Sequence, residues 1–518
     1  MTVHRKTRRE FLKTGSAVMA AAPFVSRLPR APASASKFDP NFGTATQAVQ
    51  AIRKGVISSR ELVEHVFERI KKYNPKINAF VTMLEEQAMA QAKNADEKLA
   101  RKGALGALHG LPIVVKDAFA TEGARTTAGA KRLEHYVPKE DAVIVARLKQ
   151  AGAIIVGKTN VPEFVSDWQS YNQIVGTSNN PWDLTRTPGG STGGGAAALA
   201  VGFGFLEVGS DIGGSIRHPS NFCGIYGHKS TIDLVPTRGH IPPMPGVVVP
   251  DELAVAGPLA RSAEDLRLEL EVIAGPLPED SIAYSWHLPA PRKNRLRDYR
   301  IGYVIEDPFC PLDSTVKEVL LKAIEALRKS GVQLMEGWPA GVDPKVQSEN
   351  YSWLLAASVS AVLPEAGFKG VQQMASLLGV EDTWVKGLTS LHRDWLGHST
   401  DRMRSRTLWQ EYFKTYDAFL SPVSFLPAFP HTQDHTQYDR KLMTTEGQRP
   451  YLDLARWISF ATLTGCPSTV APVGRTRNGL PVGIQIMGPF LEDATPIDIA
   501  MKMVDATGTF VAPPEFTS

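Results

Sequence analysis

The chain has 518 residues, 43% of them hydrophobic and 21% charged, with a formal net charge of +4, which is enough for one large α/β domain or two to three average ones. That composition is ordinary for a globular protein, and apart from a basic stretch in the first thirty positions the body is close to neutral, so no basic face points to nucleic acid as a partner. Three cysteines, Cys223, Cys310 and Cys466, are too few and too scattered for a disulfide framework or a metal cluster and are read as buried small hydrophobes.

The first feature in chain order is a leader. Residues 7–13 read Thr-Arg-Arg-Glu-Phe-Leu-Lys, the twin-arginine export pattern, and are followed by an Ala-rich apolar stretch from Gly15 to Val25. That stretch is too short, and too interrupted by Pro23, to span a bilayer as a stable anchor. Two small-residue cleavage candidates follow, ending at Ala33 and Ala35. The expectation is a signal peptide over 1–35 that engages the twin-arginine machinery and a folded domain over 36–518 delivered to the bacterial periplasm.

Beyond the leader, Ala45 to Lys54 and Ser59 to Tyr73 have helical periodicity. Ser58-Ser59-Arg60-Glu61 offers a capping box for the second of these. Glu85 to Arg101 is a third helix, ended by Gly103. Short apolar runs then appear at Leu111 to Val115, Ala153 to Val156 and Gly204 to Val208, with helical segments such as Asp141 to Gln150 between them. This alternation predicts an α/β fold around a mostly buried sheet. Residues 340–460 are less regular and carry Trp353, Trp384, Trp395, Trp409 and Trp457. Thr469 to Gly474 and Leu480 to Gly488 return to strand character. With no repeat and no low-complexity linker, a single large domain is the simpler organisation.

Two motifs match on paper and fail on physical grounds. Gly152-Ala-Ile-Ile-Val-Gly157-Lys158-Thr159 satisfies the Walker A pattern, but Ala-Ile-Ile-Val favours a buried strand, which cannot wrap a phosphate with its amides. Gly189-Gly190-Ser191-Thr192-Gly193 satisfies the nucleophile-elbow pattern, yet Thr185-Arg186-Thr187-Pro188 before it is a loop where a strand is required. His431 and His435 are available to complete such a triad, but nothing marks their neighbourhood.

Three segments make better sense together: Leu111-Pro-Ile-Val-Val-Lys116-Asp117, Pro188-Gly-Gly-Ser191-Thr-Gly-Gly-Gly195, and Gly209-Ser-Asp211-Ile-Gly-Gly-Ser215-Ile-Arg217. With Lys116, Ser191 and Ser215 in order at separations of 75 and 24, the chain resembles the amidase signature family from about residue 45 to about 495. His228 in Gly227-His-Lys229 is similar to the fatty acid amide hydrolase-like branch. The resemblance implies a mixed-sheet amidase domain flanked by helices. Its site would hold Ser215 as nucleophile, Ser191 as a bridging serine after a cis peptide from Gly190, and Lys116 as base. The backbone amides of Ile212, Gly213, Gly214 and Ser215 would form an oxyanion hole. Asp211 and Arg217 either brace the nucleophile loop or only pair with each other. Gly195 and Thr192 depart from the commoner pattern, and Thr192 is a candidate for substrate contact.

Lys116 needs a lowered pKa to act as a base, and the apolar strand before it supplies the desolvation. Asp117 would oppose that shift only if it faced the amine, and neighbouring side chains on a strand point apart. The implied activity is hydrolysis of a linear carbon–nitrogen amide bond in a small molecule through an acyl-enzyme, without metal or cofactor, with esters and carbamates as side substrates. The five tryptophans of 340–460 serve the core or shape an aryl or long-chain acyl pocket. The alternatives are an inactive binding scaffold and the glutamine-hydrolysing A subunit of an amidotransferase. A homodimer is left open.

Overall fold

The computed structural model describes residues 38–247, 251–361, 363, 365–378 and 382–518. The leader expected over 1–35, with its export signal and cleavage sites, lies outside the described residues. The first elements form where local chemistry dictates. Helix α1 (Ala45–Arg53) opens on a capping box between Thr44 and Gln47, and α2 (Ser59–Ile77) on the expected box between Ser58 and Glu61. The sequence reading stops α2 at Tyr73, whereas the helix continues past Pro75. A proline in the last turn removes only one hydrogen bond, and the Asn78 amide, with its residue in the left-handed conformation, still donates to the Asn74 carbonyl at 2.7 Å.

An eleven-stranded mixed sheet forms the centre. Its strands in chain order are β1 (Phe80–Met83), β2 (Pro112–Lys116), β3 (Ile154–Thr159), β4 (Leu206–Asp211), β5 (Tyr226–Lys229), β6 (Val255–Ala260), β7 (Arg300–Tyr303), β8 (Gln333–Glu336), β9 (Ala418–Pro422), β10 (Ser468–Arg475) and β11 (Pro481–Met487). Across the sheet they run β1-β3-β2-β4-β6-β5-β10-β11-β9-β7-β8. Helices α3 (Glu85–Ala100), α4 (Val143–Gln150), α5 (Gly193–Ala200) and α6 (Arg217–Cys223) follow β1, precede β3, precede β4 and follow β4 respectively. Each apolar run predicted as a strand lies within or beside one. The chain from Phe38 to Ser518 is one compact unit.

The site depends on one part of this topology. Strands β2, β3 and β4 are mutually parallel, with Lys116 opposite Thr159 and Val115 opposite Val208. Their carboxyl ends therefore open on one edge, the usual place for a ligand in a parallel sheet. Lys116 ends β2, and Ser210 and Asp211 end β4.

The segment that reads as irregular, 340–460, is largely helical: Pro344–Ser360, Glu365–Leu378, Thr383–Leu388, His392–Tyr412 and Leu454–Thr464. The longest of these has no apolar stripe, since its buried residues are Arg402, Ser405 and Trp409. Periodicity cannot show a helix whose buried face is polar.

Candidate active site

The apolar residues Pro112 to Val115 are all buried and carry Lys116 into the interior, where it is fully buried as well. Its Nζ lies 2.7 Å from Ser191 Oγ, 2.9 Å from Ser210 Oγ and 3.3 Å from the Ser210 carbonyl. Burial lowers the Lys116 pKa to about 7, against the opposing pull of Glu207 and Asp211. Glu207, also fully buried, is itself raised by desolvation to about 8. Asp117 points away as the strand geometry requires, accepting the Thr127 amide at 3.0 Å and the Thr127 hydroxyl.

Ser191 is 1% exposed and follows a cis peptide from Gly190. The loop before it has no strand character, while α5 starts two residues later. The helix required by the elbow pattern is therefore present and the strand is absent. Thr192 donates its amide to the Ser215 carbonyl at 3.1 Å, which ties the two serine loops together. Thr192 is itself buried against Gly209, where an added Cβ would lie 2.9 Å from its methyl group. The departure at Gly195 has a steric reason, since a Cβ there would lie 2.3 Å from a carboxyl oxygen of Glu207.

The chain after β4 is shaped by Asp211. Its carboxylate accepts the amides of Gly214 (2.9 Å), Ile216 (3.0 Å) and Arg217 (3.3 Å), and the Arg217 guanidinium through Nε (3.1 Å) and Nη2 (2.9 Å). Burial alone would raise this carboxyl; the guanidinium and the amides hold it below the ordinary carboxylate range. Arg217 also reaches the Ile458 carbonyl at 2.7 Å and the Thr462 hydroxyl at 2.7 Å. Asp211 and Arg217 thus pair with each other and brace the loop at once. Gly214 adopts φ +90°, and a Cβ there would lie 2.5 Å from the His218 ring, so both the backbone and the space demand glycine.

This arrangement corrects the expected oxyanion hole. The Gly214 amide is given to Asp211, because the carboxylate sits where that N–H points. The amides of Ile212, Gly213 and Ser215 have no loop or side-chain acceptor among the described residues. Two residues missed by the sequence reading hold peptides of this loop in place. The Tyr351 hydroxyl donates to the Ile212 carbonyl at 2.9 Å, and Trp168 Nε1 donates to the Gly213 carbonyl at 2.6 Å. In a trans peptide the N–H points opposite to the C=O, so Tyr351 sets the direction of the Gly213 amide. Ser215, 6% exposed, has no hydrogen-bond partner for its hydroxyl among the described residues.

The other candidates fall elsewhere. Trp409 and Trp457 are core residues, with their indole N–H groups given to Gln347 and the Cys310 carbonyl. Trp353 stacks on His398 with centroids 3.8 Å apart, and Trp384 and Trp395 are partly buried against the core. His228 is buried between Thr469 and Asp493, and His431 pairs with Asn179. Cys223, Cys310 and Cys466 are free and buried.

Comparison with known proteins adds to this geometry. A family model described as amidase matches residues 61–496. The A subunit of the glutamyl-tRNA(Gln) amidotransferase of Bdellovibrio bacteriovorus is 32% identical over 505 residues, covering 90% of this chain and 98% of its own. A solved structure described as part of a vestigial protein complex, bearing on the origins of an s-triazine catabolic enzyme, is similar at 26% identity and a TM-score of 0.74, covering 90% of this chain and 99% of its own. A bacterial aryl acylamidase of the amidase signature family is alike in fold, with a TM-score of 0.76 at 21% identity, covering 90% and 97%.

Proposed function

This chain belongs to the amidase signature family, and from that premise we propose that it hydrolyses a carboxylic acid amide through an acyl-enzyme on Ser215. The observation that carries the reading is the buried contact of 2.7 Å between Lys116 Nζ and Ser191 Oγ, made by a lysine whose pKa burial lowers to about 7. Neutral Lys116 takes the Ser191 proton while Ser191 takes that of Ser215, whose oxygen attacks the carbonyl carbon. The amides of Ile212, Gly213 and Ser215 receive the developing oxyanion; one such donor is worth roughly 3–4 kcal/mol of barrier. The same relay returns the proton to the leaving nitrogen, and water then frees the acid. Lysine, two hydroxyls and backbone amides complete this chemistry, so no step calls for a metal or cofactor.

For the substrate, the sequence relatives support L-glutamine best, with this chain as the hydrolytic subunit beside a partner, because the 32% identical relative is by name one subunit of an amidotransferase. The second reading, an aryl or long-chain acyl amide, is supported by the leader. A protein that serves charged tRNA works in the cytoplasm, whereas Arg8 and Arg9 with Phe11-Leu12-Lys13 would send a domain spanning 36–518 to the periplasm. One panel separates the two. Glutamate release from L-glutamine faster than aniline release from acyl anilides of graded chain length supports the first, and the reverse order the second. Failure of both, with no fluorophosphonate on Ser215, would overturn the hydrolase. Cell fractionation of wild type and of an Arg8→Lys/Arg9→Lys variant tests location: export that survives the double substitution removes the leader's support.

A further inference from the structure

We propose that Ser210 and His240 are positioning residues that aim the lone pair of Lys116 at Ser191. The proposal rests on the reading of Lys116 as the base. It follows from the direction in which each hydrogen bond must run. His240 Nδ1 lies 2.7 Å from the Pro242 carbonyl, which can only accept, so Nδ1 carries a hydrogen. In the neutral ring Nε2 is then bare, and it lies 2.8 Å from Ser210 Oγ, so the Ser210 hydroxyl donates to it. With its hydrogen placed there, Ser210 Oγ meets Lys116 Nζ at 2.9 Å as an acceptor, and the Ser210 carbonyl at 3.3 Å accepts a second N–H. A neutral amine has two hydrogens and one lone pair. Both hydrogens are now directed at Ser210, and the lone pair faces the remaining contact, Ser191 Oγ at 2.7 Å. The Ser191 hydroxyl has no other partner among the described residues, so its hydrogen is free for that lone pair.

The fold holds this chain of bonds in place. His240 forms a β-bridge with Phe119, three residues past Lys116, flanked by bonds from the Ile241 amide to the Ala118 carbonyl (2.7 Å) and from the Ala120 amide to the Gly239 carbonyl (2.8 Å). The Phe119 ring meets the imidazole edge-on with centroids 4.9 Å apart. Burial lowers the His240 pKa, which keeps the ring neutral. Without the imidazole, the Ser210 hydroxyl is free to turn and donate to Lys116 itself, occupying the lone pair that Ser191 needs.

The test measures inactivation of the full-length protein by a fluorophosphonate, separating the limiting rate kinact from the binding constant KI. His240→Ala should lower kinact by about 100-fold, the scale of a misaimed catalytic group, and leave KI unchanged. His240 borders a cavity of about 620 Å³ that also touches Ser210 and Pro242, so added imidazole should restore the rate. His240→Gln, whose amide oxygen can accept from Ser210, should stay within about tenfold of wild type, while His240→Phe, which packs but cannot accept, should be as slow as His240→Ala. If His240→Ala does not fold, the Gln and Phe pair answers alone. A folded His240→Phe that reacts as fast as wild type overturns the proposal. So does a folded His240→Gln as slow as His240→Phe. A wild-type protein not labelled on Ser215 overturns the reading of the site instead.

Discussion

Lys116 and Lys158 lie on the adjacent parallel strands β2 and β3; both are fully buried, and burial lowers their pKa values to about 7 and about 8. They differ in the polarity of what surrounds them. Lys158 faces the Phe119 carbonyl and the hydroxyls of Thr121 (2.7 Å) and Thr126 (3.4 Å). Those hydroxyls direct their own hydrogens at the carbonyls of Phe119 and Ala124. Three acceptors suit the three hydrogens of an ammonium, and Asp117 favours the charge. Lys116 faces one hydroxyl occupied by His240 and another, that of Ser191, with a hydrogen to give. Desolvation makes both lysines titratable near neutrality, and the direction of the surrounding hydrogen bonds decides which can serve as a base.

That contrast can be broken by substitution. Lys116→Ala should lower turnover by about 1,000-fold or more while leaving the melting temperature nearly unchanged; turnover above a tenth of normal would sink the assignment of the base. Lys158→Met should instead keep kcat within about tenfold but lose roughly 1–3 kcal/mol of stability in urea unfolding, because the Phe119 carbonyl and the Thr121 and Thr126 hydroxyls lose a buried donor. Equal losses of kcat in the two variants would erase the distinction. The pH profile sharpens it. The working form of Lys116 is neutral, so kcat/KM should rise through about pH 7 and level above it, falling as the amine gains its proton. That acidic limb should survive in Lys158→Met. A smaller effect is expected at Gly195→Ser, about 1–3 kcal/mol from the clash with Glu207. The double variant with Glu207→Ala should recover most of it in a thermal melt. The smallest is none: dialysis against a chelator should leave activity unchanged, and a loss that zinc restores would mean a metal takes part.

How much of this could be read beforehand depended on sequence distance. The capping box of Ser58 and Glu61 and the apolar run from Ala153 to Val156 are local; the box forms as read, and the run overlaps the strand Ile154–Thr159, which continues three residues further. The lysine and the two serines are legible because three Gly-rich or apolar segments frame them. Ser210, His240, Trp168 and Tyr351 carry no local mark. His240 meets Ser210 across 30 positions, Trp168 meets Gly213 across 45, and Tyr351 meets Ile212 across 139. The helix His392–Tyr412 was hidden for a related reason, since its buried face includes Ser405 and Arg402, and Arg402 finds its partners, the Leu463 and Glu252 carbonyls, in other segments.

By itself the sequence pointed to an α/β domain around a mostly buried sheet and marked Lys116, Ser191 and Ser215 as a candidate site, because strand propensity, capping and motif spacing act over a few neighbouring residues. Only the tertiary structure decided which polar groups surround each buried lysine, that Gly214 gives its amide to Asp211, and that Gly195 yields its space to Glu207. Desolvation and the direction of a hydrogen bond belong to the packed environment, and that environment exists only once distant segments have met.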